Sequence, residues 1–302
     1  MPAEDFGPDH RFLPREEILS FEEIERLVRA VVPLGVSKIR LTGGEPLLRR
    51  GIEDLVAMIA AVDGVGDIAL TTNGILLAHH AEALALAGLS RVTVSLDALE
   101  QETFARMAGV SAKVERVLAG IGAAVNFGLP VKINTVVKRD TNEDQLLPLA
   151  EWALERGLAI RFVDYMGVGE TNGCSPEHVV PSAETLELMR TRFRLEPVEP
   201  AHAGETARRW RHVGGEGEIG LISSVTQPFC QGCSRLRVSA DGQLFTCLFA
   251  TSGHDFRSIL RSASEETLGA ALESLWSARS DRYSELRGSS HQPKAEMSYL
   301  GG

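Results

Sequence analysis

SKIRLTGGEP (Ser37–Pro46) sets a short alternating run against a turn of two glycines closed by a proline. Lys38, Arg40 and Thr42 alternate with Ile39 and Leu41, the period of a β-strand, and Gly43-Gly44-Glu45-Pro46 turns the chain at its end. Working outward, the same unit recurs. DIALTT (67–72) is a strand stopped at Asn73-Gly74, and RVTVSLD (91–97), VKINTVV (131–137) and AIRFVDYM (159–166) follow. Helical stretches lie between them. Ile52, Leu55, Val56 and Ile59 form one stripe, and further helices are expected near 78–87, 113–126 and 143–156, ended by Gly88, Gly128 and Gly157. Upstream, Ser20 and Glu23 form a capping box before Phe21, Ile24, Leu27, Val28 and Val31, and Gly35 ends that helix. Five strands alternating with helices between 36 and 166 predict βαβ units and an α/β fold with a parallel sheet.

Past 167 the rhythm breaks. TNGCSPEH is loop-like, 183–193 is helical, and 194–230 mixes proline, glycine and short apolar runs. A hairpin signal at Asp241-Gly242 and a helix over 266–277 follow. The chain therefore divides into an α/β domain over 1–170 and a smaller α+β domain over 171–302.

The charge balance narrows the ligands. Lys and Arg number 31 against 41 Asp and Glu in 302 residues, a net charge of −10. Such a chain repels phosphate backbones and anionic lipid, so a general role on nucleic acid or membrane surfaces is excluded, and an anionic ligand needs a local basic pocket. No apolar run is long enough to cross a bilayer. The acidic start MPAEDFGPDHRF is no signal peptide, which points to the cytoplasm.

Strands of a helix-covered parallel sheet should be apolar on both faces. Here Lys38 and Arg40, Thr93, Ser95 and Asp97, Lys132 and Asn134, and Arg161 each put polar groups on one face. Two readings are open. The charges snorkel at strand ends, or the face lines a cavity for a polyanion, because buried cations are costly without a partner. Four such strands together favour the cavity. The GGEP turn lies where parallel α/β folds bind ligands, and Glu45 is suited to a cation such as an α-amino group; a plain βα turn is the alternative.

Cys230-x2-Cys233-x13-Cys247 is the densest chemical signal. Three thiolates can hold three corners of a 4Fe–4S cluster and leave one iron open. Structural zinc with His254 as fourth ligand, or three reduced buried cysteines, are the rival readings. Arg235 and Arg237, just after Cys233, favour a substrate site, since structural zinc needs no basic pair. Cys174 has no partner in sequence.

KIRLTGGEPLLRR, LTTNG, VTVSLD, VKINTVV, RFVDYM, GEIGLISSVTQPFCQGCSRLRVSADGQLFTCLFATSGHDFR, DRYSE and EMSYLGG together resemble the GTP 3′,8-cyclases of molybdenum cofactor biosynthesis, a radical S-adenosylmethionine family. The resemblance covers residues 12–302. It implies a partial, open parallel βα barrel, TIM-like, that binds S-adenosylmethionine, and a C-terminal domain that carries a 4Fe–4S cluster, with GTP between them. It implies that a 5′-deoxyadenosyl radical takes the ribose 3′-hydrogen of GTP and that the ribose radical attacks C8 of the guanine.

Position by position, Gly43, Gly44, Glu45, Ser95 and Met166 match contacts to S-adenosylmethionine. Arg40, Thr71, Lys132, Arg235, Leu236 and Arg237 match contacts to GTP, with Lys38 and Arg161 in the same basic set. Cys230, Cys233 and Cys247 match the C-terminal cluster's ligands. The tail Met297, Tyr299, Leu300, Gly301 and Gly302 is expected to dock and to bring the two glycines to the reacting centre beside Arg235 and Arg237. Expected partners are an electron donor and the next enzyme of molybdopterin biosynthesis, and the chain is expected as a monomer or homodimer.

One departure stands out. The family's second 4Fe–4S cluster, the one that cleaves S-adenosylmethionine, needs a C-x3-C-x2-C motif at the end of the first barrel strand. No cysteine precedes Cys174. The expectation is a chain that lacks the first strand and is inactive as it stands; a non-catalytic paralogue that keeps the GTP and metal sites is the alternative.

Overall fold

The structure, a computed structural model, describes residues 13–109, 111–166, 176–202, 204–227, 230–280 and 299. The capping box forms as expected: Ser20 Oγ accepts from the Glu23 amide at 3.2 Å, the Glu23 carboxylate accepts from the Ser20 amide at 2.7 Å, and α1 runs Phe21–Val31. The strands β1 (Lys38–Leu41), β2 (Asp67–Thr72), β3 (Arg91–Ser95), β4 (Val131–Val137) and β5 (Ala159–Asp164) pair in chain order, all parallel. The crossovers carry α2 (Ile52–Ala60), α3 (Leu77–Leu86), α4 (Gln101–Ala108), α5 (Val114–Asn126) and α6 (Leu146–Leu154). The short α4 buries Thr103 and Phe104 alone, too little apolar periodicity to be read from sequence.

The sheet does not stop at residue 170. After α7 (Ser182–Arg190) come β6 (Leu195–Val198), β7 (Arg208–His212) and β8 (Glu218–Ile222). β8 pairs parallel with β5, β7 antiparallel with β8, and β6 antiparallel with β7. The order β1-β2-β3-β4-β5-β8-β7-β6 is open at both edges. The α/β class and the open parallel arrangement therefore hold, and a stretch expected to be irregular extends the sheet. RRWRH reads as charge rather than strand. Pro197 weakens the reading of β6, yet it is tolerated because β6 is the outermost strand.

The main core lies between the sheet and its helices, from Val28 and Leu47 through Leu70, Val94 and Ile133 to Phe162, Ile219 and Leu221. A second core joins Leu19, Leu27 and Val31 to Leu244, Phe256, Leu260, Leu268 and Leu272. It covers the small sheet of β9 (Arg237–Val238), β10 (Gln243–Phe245) and β11 (His254–Asp255), with α8 (Arg257–Ser262) and α9 (Glu265–Ser277). Helix α1 serves both: Val28 enters the first core while Leu27 and Val31 enter the second. Each such side chain contributes about 1.5–3 kcal/mol on burial, so α1 fixes the cysteine-bearing unit against the sheet. Arg26 adds to this by donating to the carbonyls of Leu260 and Ala263. Among the described residues no helix is long and apolar enough to cross a membrane.

Candidate active site

Arg40 reaches across two strands. Its Nη1 donates to Thr71 Oγ1 at 2.6 Å and to Thr93 Oγ1 at 3.3 Å. In register, Thr71 stands beside Thr93 and Thr93 beside Lys132; one step along, Ser95 stands beside Asn134 and Asn134 beside Arg161. One face of the sheet is thus a continuous polar row. Lys38 is exposed at the start of β1, the edge strand.

These cations press on one another. Burial, then the charges of Arg91 and Arg161, lower the Arg40 pKa to about 10 against an opposing pull from Asp67. Burial, Arg161 and Arg91 lower that of Lys132. Arg161 is lowered by burial, with Glu205 and Glu218 working against Arg91 and Arg209. Arg40 starts on β1, but its bonds to Thr71 and Thr93 carry the guanidinium over β3, about two strands or roughly 10 Å from β5, where it and Arg161 act on each other. Arg40 is exposed on this shared polar face.

The nearby carboxylates are already engaged: Asp67 with Arg91, and Glu205 and Glu218 with Arg209 at 2.9 and 3.1 Å. Among the described residues, Arg40, Lys132 and Arg161 form no ion pair. This face of the sheet therefore carries surplus positive charge among the described residues. Arg91 and Arg209 belong to this set and were missed in the sequence: Arg91 opens its strand, and Arg209 lies in a stretch not read as sheet.

At the other end of the strands, Gly43 has φ 143°, a conformation that other residues rarely adopt, so the turn after β1 requires glycine. The Glu45 carboxylate accepts from Leu47 N (3.1 Å), Thr72 Oγ1 (2.7 Å) and Asn73 N (2.8 Å), tying the GGEP turn to the end of β2, with Gly43 half-buried and Gly44 exposed beside it. Ser95 is exposed at the end of β3, and Met166 lies two residues past β5.

Two acids are notable: Asp164, absent from the sequence reading of this site, and Asp97, which that reading counted among the polar groups of its strand. Asp164, buried at the end of β5, accepts from Ser182 Oγ, Val225 N, Thr226 N and Thr226 Oγ1 at 2.7–3.1 Å. It anchors the segment that leads into Cys230. Asp97 accepts from Val136 N at 2.8 Å, and burial, opposed by that bond, pushes its pKa up to about 6.

The cysteine segment is built on short turns. Cys230–Gly232 is a single 3₁₀ turn, and Cys233 N donates back to Cys230 O at 3.1 Å. The alternation Arg235-Leu236-Arg237 sends Leu236 into the second core and leaves both guanidinia on the opposite side. Arg235 donates to Cys233 Sγ from Nε and Nη2, each at 3.3 Å. Burial would raise the Cys233 thiol pKa, but the Arg235 charge and hydrogen bonds from Arg235 and Arg279 outweigh it and hold the thiol below its ordinary value. Arg237 is lowered to about 10 by burial and Arg235, while Cys233 and Cys247 pull the other way. Both sulfurs therefore act on one guanidinium.

Loop 201–207 joins the two cation groups. A Cβ on Gly204, where φ is 87°, would lie 2.2 Å from Gly232 O, so only glycine lets this loop press on the cysteine turn. The next residue, Glu205, acts on Arg161 and Lys132 from the same loop. Cysteine turn and polar face thus meet across two adjacent residues.

Among the described residues no three His, Cys, Asp or Glu side chains gather around one point. Three thiols with a guanidinium on one sulfur are, as donors, the kind of set an iron–sulfur cluster takes, one thiolate at each of three corners with a cation near the sulfur. Tyr299 is the described residue of the tail: its hydroxyl lies 2.9 Å from both carboxylate oxygens of Asp241, and its ring meets Phe245 edge-on at 5.9 Å. Cys174, Met297, Leu300, Gly301 and Gly302 lie outside the described residues.

Comparison with known proteins agrees. Residues 5–153 match the Radical SAM superfamily, and residues 158–285 match Molybdenum Cofactor Synthesis C. Over all of this chain it is 48% identical to a GTP 3′,8-cyclase of Acidothermus cellulolyticus, covering 91% of that relative. It is 49% identical to one from Xanthomonas campestris, covering 89%, and 43% identical to one from Staphylococcus carnosus, covering 91%. In fold it is similar to Streptococcus suis SuiB bound to S-adenosylmethionine, with TM-score 0.62 at 13% identity over 89% of this chain and 63% of that one. On a sheet with one basic face, a three-cysteine segment and these matches, the chain belongs to the GTP 3′,8-cyclase family of the radical SAM superfamily.

Proposed function

We propose that this protein converts GTP to (8S)-3′,8-cyclo-7,8-dihydroguanosine 5′-triphosphate, the first step of molybdenum cofactor biosynthesis. The observation that carries the reading is the meeting of two cation groups across Gly204 and Glu205: Arg40, Lys132 and Arg161 on the polar face, and Arg235 and Arg237 beside the cysteines. A polyphosphate relieves the mutual repulsion of such cations and accepts charge-assisted hydrogen bonds from them. Thr71, already bonded to Arg40, helps aim that guanidinium. Lys38 adds charge at the rim, and Leu236, whose side chain is committed to the second core, offers its backbone.

S-adenosylmethionine lies at the C-terminal ends of the strands. Gly43 and Gly44 present backbone to its amino acid part, Glu45 braces that turn, and Ser95 and Met166 line the rest. Cys230, Cys233 and Cys247 would hold a 4Fe–4S cluster that offers an iron to the purine. S-adenosylmethionine, with an electron from a second 4Fe–4S cluster, would supply the radical chemistry at the ribose 3′-hydrogen. The thiolates of that cluster are not among these 302 residues, and an external electron donor must supply the electron. Gly301 and Gly302, brought in by the Tyr299 anchor, help position the reacting ribose. The product passes to the next enzyme of the pathway.

The test is anaerobic turnover with GTP, S-adenosylmethionine and dithionite. The 302-residue chain should yield no 5′-deoxyadenosine. The same chain preceded by a segment with C-x3-C-x2-C should yield both 5′-deoxyadenosine and the cyclised nucleotide. 5′-Deoxyadenosine from the shorter chain, or none from the longer, would contradict the proposal.

A further inference from the structure

Arg279 lies two residues past α9 and two before the DRYSE stretch, in a part of the sequence with no cysteine. Its side chain nevertheless returns 46 residues to the cysteine turn. Nη1 donates to the Cys233 carbonyl, and the guanidinium also hydrogen-bonds the Cys233 side chain. The same group sits over the Trp276 ring, 4.8 Å from its centroid, which holds the fork in place from below. It is close enough to Arg237 to oppose that residue's charge.

A guanidinium that served only to tie α9 to the cysteine turn would need the carbonyl contact and nothing more. Placing it instead on a sulfur, with Arg235 on the same atom and Arg237 nearby, gathers three like charges in one small volume. Such a cluster is unfavourable unless an anion sits among them. A 4Fe–4S core with three thiolates is such an anion, and it becomes more negative on taking up an electron. Cations and hydrogen bonds at its sulfurs favour the reduced form.

We infer that Arg279 is a positioning residue of the cysteine site, one that orients Cys233 and raises the reduction potential of the cluster held there. The inference rests on the proposed cluster at Cys230, Cys233 and Cys247. It adds a residue from outside the motif and assigns it a property that can be read without turnover.

The 302-residue chain suits the measurement, because its other cysteine, Cys174, stands alone in sequence and the cluster signal comes from one site. Wild type, Arg279→Gln and Arg279→Lys are reconstituted anaerobically with iron and sulfide. Metal and sulfide per chain, visible absorption and the midpoint potential in a dithionite titration are then compared. Arg279→Gln keeps a donor for the Cys233 carbonyl and loses the charge. It should hold as much iron and sulfide as wild type and titrate at a more negative potential. Arg279→Lys keeps the charge without the fork and should fall between. If Arg279→Gln fails to fold or load, Arg279→Lys decides alone: a negative shift supports the inference and an unshifted potential overturns it. Equal potentials in all three proteins, or a positive shift, overturn the inference and leave the cluster in place. A wild type that takes up no iron and sulfide overturns both.

Discussion

The polar face of the sheet and the cysteine segment both collect cations, yet they hold them by different means. On the sheet, period-two alternation places Arg40, Lys132 and Arg161 on rigid parallel strands. Arg40 bonds threonine hydroxyls, and the local carboxylates Asp67, Glu205 and Glu218 are taken by Arg91 and Arg209. Around the cysteines, Arg235 comes from a loop, Arg237 from the short strand β9 and Arg279 from beyond a helix end; Arg235 bonds the Cys233 sulfur and Arg279 the Cys233 carbonyl. A regular array with no ion pair among the described residues suits a flexible string of phosphates. An irregular nest already in contact with a thiol suits a compact sulfur-ligated centre as well. In the proposed reading GTP therefore spans both regions, and the cysteine region alone also takes a cluster.

That division breaks outright if the cysteines are dispensable. Cys233→Ser should remove nearly all iron and sulfide from the reconstituted chain, read by metal analysis. It should leave the melting transition within a few degrees, since the second core is built from Leu27, Leu244, Leu268 and their neighbours. Unchanged iron would show that the cysteine region is not a cluster site.

A smaller effect sharpens the contrast from the side of the tail. Tyr299 meets Asp241 and Phe245, the latter two residues before Cys247. Deleting Gly301 and Gly302 from the enzyme with both clusters should lower the cyclisation rate at least about tenfold while GTP affinity stays within about threefold, the mark of a group felt mainly in the transition state. Equal rates would leave the tail as a docked end with no part in the reaction.

The smallest effect concerns the acid beside the sheet cations. Asp97 has a folded pKa near 6 against an ordinary 3.8. A raised acid is most favourable to folding below the lower value, and its contribution is lost as pH rises through the upper one. Asn keeps the oxygen that accepts from Val136 and has no charge to bury. The stability of Asp97→Asn relative to wild type should therefore rise by about 1–3 kcal/mol between pH 4 and pH 7.5, read as the shift in urea midpoint at each pH. A constant difference across that window would show that Asp97 ionises as a solvated carboxylate does.

How much of this was legible in sequence follows the same divide. The five strands from Lys38 to Asp164 and their helices follow from alternation and glycine stops, because local pattern and tertiary burial agree there. The polar face was legible for the same reason. Strands β6 to β8 were not, because RRWRH and the Pro197 strand carry edge chemistry, and their pairing is decided by β5 rather than by their own composition. Glu45 also holds Thr72 and Asn73, 27 and 28 residues away, which its turn alone did not announce. Arg279 was not found, since the DRYSE stretch beside it carries no sign of a partner 46 residues upstream. Long-range hydrogen bonds leave no periodicity to read.

The central claim is that the two cation groups bind one nucleotide between them. It is tested most directly by calorimetric titration of GTP into wild type, Lys132→Met and Arg237→Ala. One variant lies on the sheet and the other beside the cysteines. One GTP per chain is predicted, and each substitution should weaken it by about 10–100-fold, the loss of a charged hydrogen bond worth roughly 1.5–3 kcal/mol. Guanosine should bind far more weakly to all three. Affinity for GTP that ignores either substitution, or guanosine binding as tightly as GTP, would contradict a site shared by the two regions.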